Sequence, residues 1–220
     1  MTDRSTAEDP NRAAPLPRAR AARRDGIVRA AMRLLMDSDY EDIQMRDVAE
    51  QSGVALGTLY RYFASKEQLF AAVQLEWVER LHRRVAEAHE LRGSSNLERL
   101  LELIHTTIRA FEQRPQFYRV LLVLEGTRDP VARELYDVMH EATNATYLMA
   151  ITGVDEKEAN VLLDASLAIL SAEMRAWALG KRPIGEARRK IDEQLRALFT
   201  YRDVTEAAGR PSRRLRAAGQ

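Results

Sequence analysis

The chain contains no cysteine among its 220 residues, which excludes a disulfide scaffold, thiolate catalysis and cysteine-ligated zinc or iron–sulfur centres. No apolar run approaches the roughly 18 residues needed to cross a bilayer. The segment Met1–Pro17 is polar and arginine-containing and lacks the apolar stretch of an export signal. A cytoplasmic location without membrane attachment is the expectation. An excess of charge is also missing: 34 Lys plus Arg stand against 33 Asp plus Glu, a net charge of +1. Any nucleic-acid role must therefore rest on local charge. Enzyme signatures are absent too. There is no G-x-S-x-G, no phosphate-cradling G-x-x-x-x-G-K and no G-x-G-x-x-G. His82 and His89 stand seven apart, beyond i, i+4 chelation, among charges that read as a solvated face. No catalytic residue, metal or cofactor is expected.

Local charge does vary. Arg12, Arg18, Arg20, Arg23 and Arg24 follow one another without an acid between them. Arg210, Arg213, Arg214 and Arg216 do the same near the end. Both stretches lack apolar periodicity and read as disordered arms, either solvated tails or, for the first, a reach toward a minor groove.

Between the arms the pattern is helical. Ile27, Ala31, Leu34 and Leu35 recur at the α-helical period, predicting a helix over Arg20–Asp37. Met45, Val48 and Ala49 share one face of a short segment over Gln44–Ser52, which Gly53 interrupts. A second short helix over Ala55–Tyr62 carries Leu59 inward, with Phe63 beside it. Ser65 with Gln68, Ser95 with Glu98 and Asp155 with Glu158 have capping-box spacing. They predict helices to about Leu91, over Asn96–Gln113 and over Glu156–Leu179. Pro115, Pro130 and Pro183 suit first helical turns, opening Pro115–Leu124, Pro130–Ala150 and a last helix ending near Tyr201. No alternating β-branched run appears. The prediction is all-α, with about nine helices.

Two short helices joined by a glycine turn match either a helix-turn-helix or a plain αα-hairpin. A recognition helix needs small residues at its leading edge so that its backbone can approach the bases. Ala55, Gly57 and Thr58 provide that, although glycine inside a helix costs about 1 kcal/mol relative to alanine. Tyr60 and Tyr62 carry hydroxyls on rigid arms, and Arg46, Arg61 and Lys66 offer charge toward phosphate.

The run Tyr40-Glu41-Asp42-Ile43-Gln44-Met45-Arg46-Asp47-Val48-Ala49, then Gly53-Val54-Ala55-Leu56-Gly57-Thr58-Leu59-Tyr60-Arg61-Tyr62-Phe63, then Ser65-Lys66-Glu67, resembles the DNA-binding domain of TetR-family transcriptional regulators. The resemblance covers about Arg20–Val73; beyond it, length and helical character match the family at large. It implies that Arg46 and its helix end face the DNA, that Ala55, Leu56, Gly57 and Thr58 enter the groove, and that Tyr60, Tyr62 and Lys66 hold phosphates. Two positions depart from the family. Gln44 stands where Ser or Thr often opens the first short helix. Ala55-Leu56 replaces a Ser-Lys pair, which shifts readout from hydrogen bonds toward apolar contact with thymine methyls. The combination Gln44-Met45-Arg46 with Val54 to Phe63, and fainter echoes at Arg109-Ala110, Gln113-Arg114-Pro115 and Ala176-Trp177, resembles the actinobacterial repressors of sterol and cholesterol catabolism. That likeness implies an effector that is a CoA thioester of a steroid degradation intermediate.

In the C-terminal half, Val161–Leu179 is apolar nearly all round, the mark of a helix buried on more than one side. With the last helix it predicts an isologous homodimer through Leu162, Ala165, Ile169, Ile191, Leu195 and Leu198. Two-fold symmetry then spaces two recognition helices for a palindromic double-stranded operator. Ile104, Phe111, Phe117, Leu121, Met139, His140, Asn144, Tyr147, Met174 and Trp177 are candidate walls for a bulky hydrophobic effector, each of them equally readable as plain core. The expected organisation is a basic arm over 1–19, a three-helix DNA-binding domain over 20–65, a helical effector-binding and dimerisation domain over 66–203, and a basic tail over 204–220. The chain reads as a ligand-responsive regulator, most simply a repressor. The alternative is a helical small-molecule or acyl-CoA binding protein without specific DNA binding.

Overall fold

The structure, a computed structural model, describes residues 18–87 and 93–209. Residues 1–17, 88–92 and 210–220, which include Arg12, His89 and the C-terminal arginine cluster, lie outside the described residues. Among the described residues there are nine α-helices, a single 3-10 turn and no strand. No described helix is long and apolar enough to cross a membrane.

The first helix, α1 (Arg18–Asp37), starts earlier than the periodicity predicts. Arg18, Arg20, Arg23 and Arg24 therefore sit on helix rather than in a disordered arm. Their correction has a packing cause: Arg20 lies over the Tyr62 ring at 5.9 Å and Arg24 over the Phe63 ring at 5.1 Å. After a turn at Tyr40–Asp42 come α2 (Met45–Ser52) and α3 (Leu56–Tyr62). Gln44, a weak cap by residue type, is helped from the other side. Its backbone N–H donates to the Asp47 carboxylate at 2.8 Å. Gly53 ends α2 at φ 67°, a left-handed conformation that disfavours a Cβ.

Next, α4 (Lys66–Glu87) packs on α1 at its beginning and on α7 along its length. Ser65 caps it, accepting from Gln68 N–H at 3.1 Å. The helices α5 (Asn96–Gln113), α6 (Pro115–Glu125), α7 (Pro130–Leu148) and α8 (Glu156–Ala178) follow. Ser95 and Asp155 cap α5 and α8 as their spacing predicts, accepting from Glu98 N–H at 3.2 Å and Glu158 N–H at 2.8 Å. The last helix, α9 (Ile184–Gly209), runs well past the expected end at Tyr201 and into the stretch read as tail.

One continuous apolar core joins both halves, from Ile27 through Phe70 and Phe117 to Phe199. Three polar links fasten the N-terminal helices to the rest. Asp129 caps α7, accepting from Val131 N–H at 3.0 Å and Ala132 N–H at 3.1 Å. The same carboxylate accepts from the Ser65 hydroxyl at 2.7 Å and from the Gln68 amide at 3.0 Å, so the starts of α4 and α7 share one cap. The Gln116 amide also donates to the Met36 carbonyl at 3.0 Å, and Arg119 pairs with Asp39.

Candidate DNA-reading surface and effector cavity

Packing decides which side of α2 and α3 is free. Met45, Val48 and Ala49 on α2, and Leu59 with Phe63 at α3, are buried against α1 and α4. What remains outward is Gln44, Arg46, Ala55, Leu56, Gly57, Tyr60 and Arg61, all exposed. Thr58 and Tyr62 are half-buried. Leu56 keeps 42% and Tyr60 47% of their surface in solvent, unusual for residues so close to a core. Arg46 is free apart from a 3.5 Å contact with Asp47. A Cβ built at Gly57 meets no atom within 4 Å, so the fold itself does not demand glycine there.

Lys66 departs from its expected place. Its ammonium lies 4.0 Å from the centre of the Tyr40 ring and donates to the Tyr40 carbonyl. Burial lowers its pKa, and the Tyr40 hydroxyl is pushed up to about 12 for the same reason. The lysine fastens the Tyr40 turn to α4; it does not project from the reading surface. Sequence offered no sign of this, because the aromatic partner lies 26 residues away.

The second feature is a cavity of about 250 Å³ lined by α4, α5, α6, α7 and α8. Of the expected wall residues, Phe111, Leu121, Met139, His140, Asn144, Tyr147 and Met174 line it. Ile104, Phe117 and Trp177 do not. Ile104 and Phe117 are wholly buried in the core; Phe117 stacks behind Trp77 at 4.8 Å, and Trp177 backs Tyr118 at 6.1 Å. Each shares the apolar character of the wall but sits one layer behind it. Sequence reading missed Trp77, Val78, Leu81 and His82, which α4 contributes. His82 thus turns away from the solvated face assigned to it, and burial lowers its pKa. The spacing 77, 78, 81, 82 on one face of α4 was the available signal. On α7, Tyr136, His140, Thr143, Asn144 and Tyr147 form the polar side of the wall. Tyr147 shares a 2.5 Å hydrogen bond with Thr107, and burial pushes its pKa up to about 12.

The expected dimer residues divide. Leu162, Ile191 and Leu195 are buried within the subunit, packed into its own core, and offer no surface to a second copy. Ala165, Ile169 and Leu198 are half-buried. Val161, Ala168 and Ala172 are the exposed apolar positions of α8. An all-round apolar helix gives no clue to which side faces in, which is why three of six positions were misassigned.

Comparison with known proteins matches this architecture. The sequence profile described as bacterial regulatory proteins, tetR family, matches residues 27–73, spanning α1 to the first part of α4. The HTH-type transcriptional repressor KstR of Rhodococcus jostii is 30% identical over 140 residues, covering 64% of this chain and 65% of that protein. The KstR of Mycolicibacterium smegmatis is 26% identical over 186 residues, covering 82% of this chain and 89% of its own length. A crystal structure of a TetR transcriptional regulator from Rhodococcus sp. RHA1 superposes with a TM-score of 0.70 at 22% identity, over 82% of this chain and 97% of that one. Residues 27–73 thus match the tetR family of bacterial regulatory proteins, and the chain, with its N-terminal helix-turn-helix and helical C-terminal half, resembles the KstR-type regulators.

Proposed function

We propose that this protein is a ligand-responsive repressor that binds a palindromic operator as a homodimer and leaves it when a bulky hydrophobic effector occupies the cavity. The observation that carries this is the course of α4. The helix begins at Lys66, four residues after α3 ends at Tyr62, and about three to four turns later contributes Trp77, Val78, Leu81 and His82 to the cavity wall. One rigid element therefore borders both sites, and a ligand that moves it moves the reading helix.

The edge formed by the exposed Leu56 and Gly57 with the half-buried Thr58 enters the major groove, where Leu56 meets thymine methyls and Gly57 admits the backbone. Arg46, Arg61 and Tyr60 contact phosphate and fix the register. The homodimer forms through the outward face of α8, along Val161, Ala165, Ala168 and Ala172, together with Ala197 and Tyr201 of α9. The resemblance of Gln44-Met45-Arg46 and Val54 to Phe63 to repressors of sterol catabolism supports a steroid CoA thioester as effector. An engineered apolar cavity of about 150 Å³ accepts benzene. The present one, at about 250 Å³, suits a larger ring body, with an anionic CoA head left outside. By linkage, effector and operator weaken each other's binding by the same factor.

The test is fluorescence polarisation of the full chain on labelled DNA from its own upstream region at fixed salt. A steroid CoA thioester is titrated beside a straight-chain fatty acyl-CoA. Release by the steroid ester alone is expected. Tight binding that neither ester disturbs retains the DNA function and overturns the effector assignment; absence of binding overturns operator recognition on that fragment.

A further inference from the structure

Several polar groups of the described cavity wall are engaged with the protein, and one is buried without a partner. The Thr107 and Tyr147 hydroxyls bond each other. The Thr143 hydroxyl donates to the Met139 carbonyl at 2.8 Å, and the Tyr118 hydroxyl to the Ser171 carbonyl at 3.4 Å. Arg175, the one Arg or Lys among the described lining residues, is paired with Glu125, the one carboxylate there. The exception is Asn144. Its Oδ1 is buried with no hydrogen-bond partner, on the α7 face that carries His140 one turn before and Tyr147 one turn after.

A buried acceptor without a donor is a standing cost, and native proteins satisfy nearly all such groups. A donor reaching Asn144 from the cavity removes that cost. A cation in the wall that keeps its own counter-ion offers little to an anionic head, because capturing one means breaking the pair. His82, whose pKa is lowered by burial, adds no compensating charge at neutral pH. The apolar wall itself is supplied by Trp77, Val78, Leu81, Phe111, Leu121 and Met174.

We propose that Asn144 is the specificity-determining residue of this cavity, and that the part of the ligand it holds is a neutral, bulky apolar body bearing a hydroxyl that donates to Asn144 Oδ1. The assignment rests on the cavity being the effector site and narrows the effector's chemistry. Carbonyl-bearing analogues, which only accept, leave Oδ1 unpaired. Straight fatty acids bring a charge that the wall does not neutralise.

Isothermal titration of the full chain without DNA tests it, using trans-2-decalol, trans-2-decalone and decalin as probes. The alcohol is expected to bind about tenfold more tightly than the ketone, the scale of one buried donor–acceptor pair. Asn144→Leu, with its melting temperature measured alongside, closes that gap while still binding decalin. Thr143→Val, one residue away and already bonded to the backbone in the wild type, keeps the gap. A ketone that equals or beats the alcohol overturns the proposal, as does a gap that survives Asn144→Leu or a wild-type protein that binds none of the three. An Asn144-dependent gap with no effect of the alcohol or of steroid esters on operator binding leaves the ligand assignment standing and removes the regulatory reading. Operator release by a steroid CoA thioester, with no alcohol preference, does the reverse.

Discussion

The reading helices and the cavity use apolar residues in opposite ways. In α2 and α3 the core residues exist to hold other side chains outward: Leu59 and Phe63 are buried so that Leu56 and Tyr60 are exposed. In α4 to α8 the core is itself the functional surface, since Phe111, Met139 and Met174 both hold the domain together and bound the cavity. Surface function and structural burial separate cleanly over three or four residues of one helix. Function inside a core does not, because the same hydrophobicity serves wall and filler.

Substitutions can sharpen that contrast, the largest effect coming from the layer behind the wall. Phe117 is fully buried and stacked on Trp77, so Phe117→Ala is expected to destabilise the fold by about 3–5 kcal/mol in denaturant unfolding. Leu121→Ala, at the half-buried wall, is expected to cost less while changing ligand affinity more. An equal stability loss from both removes the distinction between the two layers.

Asp129 joins the two regions. Asp129→Ala removes the α7 cap and both links to α4, an expected loss of about 1–2 kcal/mol. Its pKa is lowered, chiefly by the Ser65 hydroxyl bond, with Gln68 and the α7 backbone adding to it. A depressed folded-state pKa gives a contribution that is present above the unfolded value of about 4 and lost as pH falls through the folded one. Stability measured from pH 6 down to pH 3 is therefore expected to decline more shallowly in Asp129→Asn than in the wild type. Parallel curves would show that the carboxylate charge is irrelevant to the link.

Gly57 separates fold from function at a single atom. Adding a methyl meets open space and improves helix propensity, so Gly57→Ala is expected to gain up to about 1 kcal/mol in stability. Operator affinity is expected to fall at the same time, because the groove, not the fold, requires the close approach. A variant both more stable and equally tight on DNA would take Gly57 out of the groove.

The smallest effect lies in salt dependence. Arg46→Ala is expected to lower the slope of log affinity against log salt by about one unit, as for a lost phosphate contact. Lys66→Ala, whose ammonium is tucked against Tyr40, is expected to leave the slope nearly unchanged and to lower the melting temperature instead. The opposite ordering would restore Lys66 to the DNA surface.

Legibility followed the range of the interactions. Capping pairs at i, i+3 placed the starts of α4, α5 and α8 correctly, because cap and helix are covalent neighbours. The end of α9 was missed by eight residues, since the stretch beyond Tyr201 is polar with only weak apolar periodicity, although Gly209 and Pro211 supply a stop signal there. At the reading surface Leu59 and Tyr60 took the inward and outward places that short-range pattern gave them. Lys66 did not, its orientation being set by a ring on a distant turn. In the cavity, Asn144 and Tyr147 fell on the wall, while Ile104 and Phe117 fell behind it, and residue type alone offered no way to tell these pairs apart.

What the sequence by itself determined was the set of helices, their order and the short-range face of each, because hydrophobic period, caps and glycine stops act within a turn or two of chain. Only the tertiary structure decided how each helix is rotated about its axis against the others. That rotation brings α4 to both the reading head and the cavity, turns Leu162, Ile191 and Leu195 inward, and gathers Ser65, Gln68 and the α7 start around Asp129. It arises from close packing between segments dozens of residues apart, where shape complementarity selects one arrangement among many that are equally hydrophobic.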